Sequence, residues 1–142
     1  NITDQTCSID STSQSQTIAL GKVAKSALNG AVGTRTAATK FSLTVKSCPE
    51  TIKGANVRFD GTADTLYPNL LALDPISGKA TGVAVQITDN KGNEIPLFTN
   101  SNEFTLTTGT NTLDFAARYV STASAVDVGI ANATAQFTIV YK

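Results

Sequence analysis

Gly129-Ile-Ala-Asn-Ala-Thr-Ala-Gln-Phe-Thr-Ile-Val-Tyr-Lys142 is the stretch with the clearest pattern, and its second half alternates. Ala135, Phe137, Ile139 and Tyr141 fall on one face; Thr134, Gln136, Thr138 and Val140 fall on the other. Successive side chains of a strand point to opposite faces, so the pattern predicts a half-buried β-strand with an apolar underside. The strand stops one residue short of position 142. Chain ends usually fray, so this one needs partners along both flanks.

The stretches before it alternate too. Leu113, Phe115, Ala117 and Tyr119 form the inner face of a long strand with Asp114 and Arg118 outward, followed by a small-residue loop over Ser121–Val128. Phe104 and Leu106 belong to a strand that turns at Thr108-Gly109-Thr110. Val83, Val85 and Ile87 form another. The polar run Asp89-Asn90-Lys91-Gly92-Asn93 with Ile95 and Leu97 after it reads as a hairpin. Leu66–Leu73 is apolar but aperiodic, is broken by Pro68, and covers one end of the core.

Val57 and Phe59 point inward from a strand over Asn56–Asp60, which turns at Asp60-Gly61. Phe41, Leu43 and Val45 do the same over Lys40–Cys48, and Pro49 ends that strand. Ile18 and Leu20 make a short strand stopping at Gly21, between a polar loop over Ser11–Gln16 and an irregular connection over Lys22–Leu28. Cys7 sits in a short extended segment. Seven or eight short strands at regular spacing, with almost no helix, predict a single antiparallel β-sandwich in one domain spanning residues 1–142.

The chain has 11 basic and 11 acidic residues and a formal net charge of zero. A nucleic-acid or anionic-membrane surface would need a basic excess. No apolar run reaches membrane-spanning length. Cys7 and Cys48 have no metal-like spacing, and the sequence contains no His. The pair reads as a disulfide of an oxidising compartment rather than as two free thiols. Closing a loop of about forty residues, it stabilises by about 4 kcal/mol in the chain-entropy account.

Without His, the commonest general base and metal ligand is missing, and a Ser or Cys nucleophile would need another activator. There is no Gly-x-Ser-x-Gly elbow, phosphate-binding loop or calcium loop. Asp60 and Asp64 supply too few oxygens for calcium and read as a polar loop. Asn1 and Asn132 head short glycosylation sequons. No enzyme activity, cofactor or metal is expected.

The order of the pieces resembles the chaperone–usher fimbrial subunits, pilins of the type 1 kind. The pieces are Cys7, Ile-Ala-Leu-Gly at 18–21, Cys48, Val-Arg-Phe-Asp-Gly-Thr-Ala-Asp at 57–64 and Asn-Leu-Leu-Ala-Leu at 69–73. After them come Gly-Val-Ala-Val-Gln-Ile-Thr-Asp at 82–89, Ile-Pro-Leu at 95–97, Asn-Thr-Leu-Asp-Phe-Ala-Ala-Arg-Tyr at 111–119, and the last stretch with Gly129 and the penultimate Tyr141.

The resemblance implies an immunoglobulin-like sandwich that lacks its last strand and is completed in trans. The groove beside the final strand would be lined by Gly129, Ala135, Phe137, Ile139, Tyr141 and Lys142. The implied partners are the N-terminal donor strand of a neighbouring subunit, a periplasmic chaperone that grips the terminal carboxylate at Lys142, and an outer-membrane usher. The implied location is the periplasm during assembly and then the extracellular fimbria.

By periodicity alone, Phe137, Ile139 and Tyr141 fit the last strand of a complete sandwich; the resemblance implies the open one. Only six residues precede Cys7, with Ile2 the one apolar residue among them. The expectation is therefore that the donor extension is missing, so that the chain receives a donor and gives none. The competing function is a carbohydrate-binding sandwich, such as an adhesin's lectin domain. With no Trp and 6% aromatic residues, a sugar-stacking platform is poorly supplied.

Overall fold

A computed structural model describes residues 7–9, 15–22, 31–36, 38–75, 78–127 and 129–142, with side chains over 15–22 and 130–132 left aside. Eight strands follow in order: β1 (Ser8–Ile9), β2 (Ser15–Lys22), β3 (Thr39–Cys48), β4 (Gly54–Gly61), β5 (Val83–Asp89), β6 (Phe104–Thr105), β7 (Gly109–Ser121) and β8 (Ile130–Tyr141). They form two four-stranded antiparallel sheets, ordered β1-β3-β7-β5 and β2-β8-β4-β6. The connection expected after Lys22 and the sequon at Asn1 lie outside the described residues.

The period-2 residues make the core. Leu43, Val45, Val57, Phe59, Leu113, Phe115 and Ala117 are each at most 2% exposed. Four phenylalanines join the sheets. Phe115 of β7 meets Phe59 of β4 edge-to-face at 5.0 Å between ring centres, and Phe104 at 5.3 Å. Phe41, opposite Phe115 in the ladder, stacks on it at 5.6 Å and meets Phe59 at 6.0 Å. Such offset and edge contacts add about 0.5–1.5 kcal/mol each beyond the area buried.

One long side of the sandwich is stitched shut. Leu71 exchanges two backbone hydrogen bonds of 2.8 Å with Val85 of β5. Its neighbours bond the segment after β4: Ala72 N to Thr62 O at 2.8 Å and Asp64 N to Leu70 O at 2.9 Å. Residues 70–72 thus bridge an edge of each sheet, and β5 is buried along its whole length although it ends its sheet. The opposite long side is bounded by β1 and β3 on one sheet and by β2 and β8 on the other.

Local differences from the sequence reading have physical causes. Ser15 and Gln16, expected in a loop, begin β2, because main-chain pairing with β8 does not require apolar side chains. The hairpin after β5 closes through a single bridge, Thr88 with Glu94, and Ile95 and Leu97 are buried without forming a strand. Its turn is held by the Asp89 carboxylate, which accepts from the Lys91 and Asn93 amides at 2.8 and 2.9 Å. Burial works against that charge. The hydrogen bonds from the Asn93 and Lys91 amides and from the Asn93 and Asn102 side chains outweigh it, and the carboxyl sits below its ordinary value. Only Phe104 and Thr105 of the next strand pair, forming β6.

Cys7 and Cys48 form a disulfide with a Cα separation of 4.3 Å. It ties β1 to the end of β3, where Ser8 and Ile9 pair with Lys46 and Val45. The ladder to β7 shifts between Val45 and Cys48, and Ser47 there has a φ of 54°. That is the geometry of a bulge, with one left-handed residue.

Candidate functional site

β8 has two flanks that barely overlap. On one side it pairs with β4, from Ala135 opposite Gly61 to Tyr141 opposite Ala55. On the other it pairs with β2, from Ile130 opposite Lys22 to Gln136 opposite Ser15. Ala135 and Gln136 alone are flanked by strands on both sides. From Phe137 to Tyr141, no described strand lies on the β2 side. On the side away from β4, β2 therefore covers the first half of β8 and no described strand covers the second.

The direction of the backbone groups follows from one pair. Lys142 donates to Gly54 O at 2.8 Å and accepts from Gly54 N at 3.2 Å, so its amide and carbonyl both face β4. In an antiparallel ladder this direction alternates residue by residue. Val140 and Thr138 therefore face β4 as well. The amides and carbonyls of Tyr141, Ile139 and Phe137 point the other way, to the side where no described strand pairs them.

The side chains follow the same alternation. Ala133 and Ala135 are buried, and Phe137, Ile139 and Tyr141 are half-buried and packed against the core. Thr134, Gln136, Thr138 and Val140 are exposed. The three residues whose backbone groups face the uncovered side thus also present apolar side chains along the core. The phenol of Tyr141 reaches the end of the sandwich that holds the disulfide. Its hydroxyl is enclosed beside the Cys7 backbone and makes no hydrogen bond of ordinary geometry among the described residues. Burial pushes its pKa up, and the Cys7 backbone offsets part of the rise.

Two further residues frame the strand. Gly129 lies against the backbone of Gly78, Lys79 and Ala80, where a Cβ would meet the Gly78 carbonyl oxygen and come within 2.7 Å of Ala80 N. Lys142, at the other end, accepts from Lys53 N at 2.8 Å as well as from Gly54. Its ammonium lies 3.2 Å from Glu103, and both side chains are at least half exposed. Gly129, Ala135, Phe137, Ile139, Tyr141 and Lys142 therefore share one strand and its approach, but not one surface. Ala135 lies under the part that β2 already flanks, and Gly129 stands at the far end from Lys142.

The residues weighed for other chemistry are engaged in structure. Asp60 pairs with Arg58 at 3.2 Å. Asp64 accepts from the amides of Leu66 and Tyr67 at 3.1 and 3.0 Å. No group of three or more metal-binding side chains occurs among the described residues. Sequence reading found a strand at Ile18 and Leu20, within β2, but neither its place beside β8 nor that of the Cys7 backbone. Their placement beside β8 rests on long-range pairing that no local pattern signals.

A sequence model of the family described as "Fimbrial protein" matches residues 1–142. The chain is 41% identical over 146 aligned residues to the "Type-1 fimbrial protein, A chain" of Escherichia coli, an alignment covering 99% of this chain and 78% of that protein. Among solved structures it is similar to a Burkholderia pseudomallei antigen and type I fimbria protein. That match has 40% identity and a TM-score of 0.74, and it covers 98% of this chain and 91% of the other. The P pilus rod subunit PapA, 22% identical, shares the fold with a TM-score of 0.76 over 96% of this chain and 99% of the other.

Proposed function

The chain belongs to the fimbrial protein family, and we propose that a strand from a neighbouring subunit lies along the uncovered half of β8 and completes its sheet. The chain is a structural subunit of a bacterial surface fimbria, acts outside the cell, and assembles with neighbouring subunits. The observation that supports donor-strand completion is the coincidence at Phe137, Ile139 and Tyr141. Their backbone groups face the side without a described strand, and their apolar side chains are only half-buried.

Added strands bind in this way: main-chain hydrogen bonds supply affinity and alternate side chains fill pockets. Each large apolar side chain that a donor buries there contributes roughly 1.5–3 kcal/mol before the cost of ordering the donor. β2 occupies the same side over Ile130–Gln136. A donor longer than the uncovered half therefore has to displace β2 from β8.

The same apolar strip needs cover before assembly. In this reading a periplasmic chaperone lies along it first, gripping the end of β8 at Lys142, and the subunit is handed over at an outer-membrane usher. The groove is a docking surface and takes no part in catalysis.

A thermal melt of the chain with and without a synthetic strand, copied from the N-terminal extension of a subunit of the same fimbria, tests the proposal. A large rise in Tm with one peptide bound per chain supports it. The proposal is lost if saturating peptide leaves Tm unchanged, or binds equally well to Ile139→Asp.

A further inference from the structure

The outer face of the β1-β3-β7-β5 sheet carries an open cleft of about 280 Å³, lined by Arg35, Tyr67, Asn69, Gln86 and Glu94 among others. Its wall over residues 66–70 is pinned. The Asp64 carboxylate accepts from the Leu66 and Tyr67 amides, and Leu70 N donates to Tyr67 O at 2.9 Å. Leu70 itself is buried in a second small core with Ala84 and Val120, outside the sandwich interior. Tyr67 is nonetheless 40% exposed. A loop tied at this many points holds an aromatic residue at the surface in a fixed place.

The polar side of the cleft is equally fixed. Gln86 is 4% exposed. Its carboxamide oxygen accepts from Arg118 Nε at 2.7 Å, and its nitrogen donates to Glu94 Oε2 at 3.1 Å. This relay sets the Glu94 carboxylate in place. Arg35 and Glu94 carry opposite charges, so the cleft offers no net preference for an ionised ligand.

We propose that this cleft binds a single neutral pyranose ring. A pyranose has an apolar C–H face and a rim of adjacent hydroxyls. The Tyr67 ring offers an apolar surface with a polar tip. Glu94, Asn69 and Arg35 carry planar groups with paired acceptors or donors, the geometry that adjacent hydroxyls require. The volume falls at the lower bound of small-molecule pockets, which suits one ring rather than a chain. The low aromatic content argues against an extended stacking platform, whereas one ring on a pinned loop needs only Tyr67. Repetition of the subunit along a fimbria would turn a weak single site into an avid surface.

The test is a titration of the ¹⁵N-labelled full chain with the methyl glycosides of glucose, galactose, mannose and N-acetylglucosamine. At least one is expected to give saturable amide shifts clustered at Tyr67, Asn69, Gln86 and Glu94, with a millimolar Kd. Tyr67→Ala should weaken it about tenfold while leaving the remaining amide spectrum unchanged, and Tyr67→Phe should retain it. The proposal is overturned if no glycoside gives a saturable shift, if the shifts lie away from the cleft, or if Tyr67→Ala binds as well as the parent. Concentration-dependent shifts at Leu66 and Tyr67 without sugar would also overturn it, since a second copy would then occupy the face.

Discussion

Gly129 rests directly on the carbonyl oxygen of Gly78, with the Lys79 carbonyl carbon and Ala80 N within 2.7 Å of where a Cβ would stand. All three obstacles are backbone atoms, so no side-chain rotation relieves the contact. Glycine is needed here for close approach rather than for an unusual φ. Gly129→Ala should cost about 1–3 kcal/mol, as overpacking does. The expected result is a lower urea midpoint with an unchanged slope. An unaltered midpoint would mean that the Gly78–Ala80 segment yields without cost.

The disulfide replaces a ladder too short to hold by itself. β1 offers two residues to β3, and Cys7–Cys48 closes a sequence separation of 41 beside them. The double variant Cys7→Ser/Cys48→Ser should lose about 4 kcal/mol of stability in a denaturant titration. Tyr141 packs beside the Cys7 backbone, so hydrogen exchange at Thr138 and Val140, whose amides face β4, should also quicken relative to β7. Equal protection at those amides in both proteins would separate β1 from the end of β8.

Much of this was legible where one face of a strand is buried and the other is not. Leu43, Val45, Val57, Phe59, Leu113 and Phe115 alternate in sequence and are buried in the fold, because each points between the sheets while Ser42, Thr44, Arg58, Thr112 and Asp114 point the other way. Two things were not legible. Ser15 and Gln16 look like a loop because an edge strand can pair through its backbone alone. Leu70 and Leu71 look like one apolar cover, yet Leu71 enters the main core and Leu70 the small one on the opposite face. Adjacent residues of an extended segment face opposite ways, and with both faces buried the alternation disappears from the sequence.

Buried Tyr119 and half-buried Tyr141 make stability depend on pH at the alkaline end. Burial pushes the Tyr119 hydroxyl up to about 12, and burial also raises Tyr141. A group whose folded pKa is raised contributes stability that is complete below its unfolded value, about 10 for tyrosine, and is lost as pH rises through the folded value. Stability from this source should hold up to about pH 10 and fall between there and about pH 12. Tyr119→Phe should flatten that fall. Phenolate absorbance from Tyr119 should appear together with unfolding; its appearance in the folded protein near pH 10 would contradict the burial assigned to it.

Whether β2 must leave β8 for a donor to bind can be decided by locking the two together. Thr17 and Thr134 are directly opposite in the ladder. By the alternation counted from Lys142, Thr134 directs its backbone groups toward the β4 side, so this is a non-hydrogen-bonded pair, in which Cα atoms approach to about 4.5 Å. That spacing falls within the range a disulfide spans. Oxidised Thr17→Cys/Thr134→Cys should remain folded and bind a full-length donor peptide at least about tenfold more weakly than its reduced form, since the strand occupying half of the flank can no longer move away. A short peptide matching only Phe137–Tyr141 should bind both forms alike. Equal affinity of the full-length donor for both forms would place its binding entirely within the half that β2 leaves uncovered.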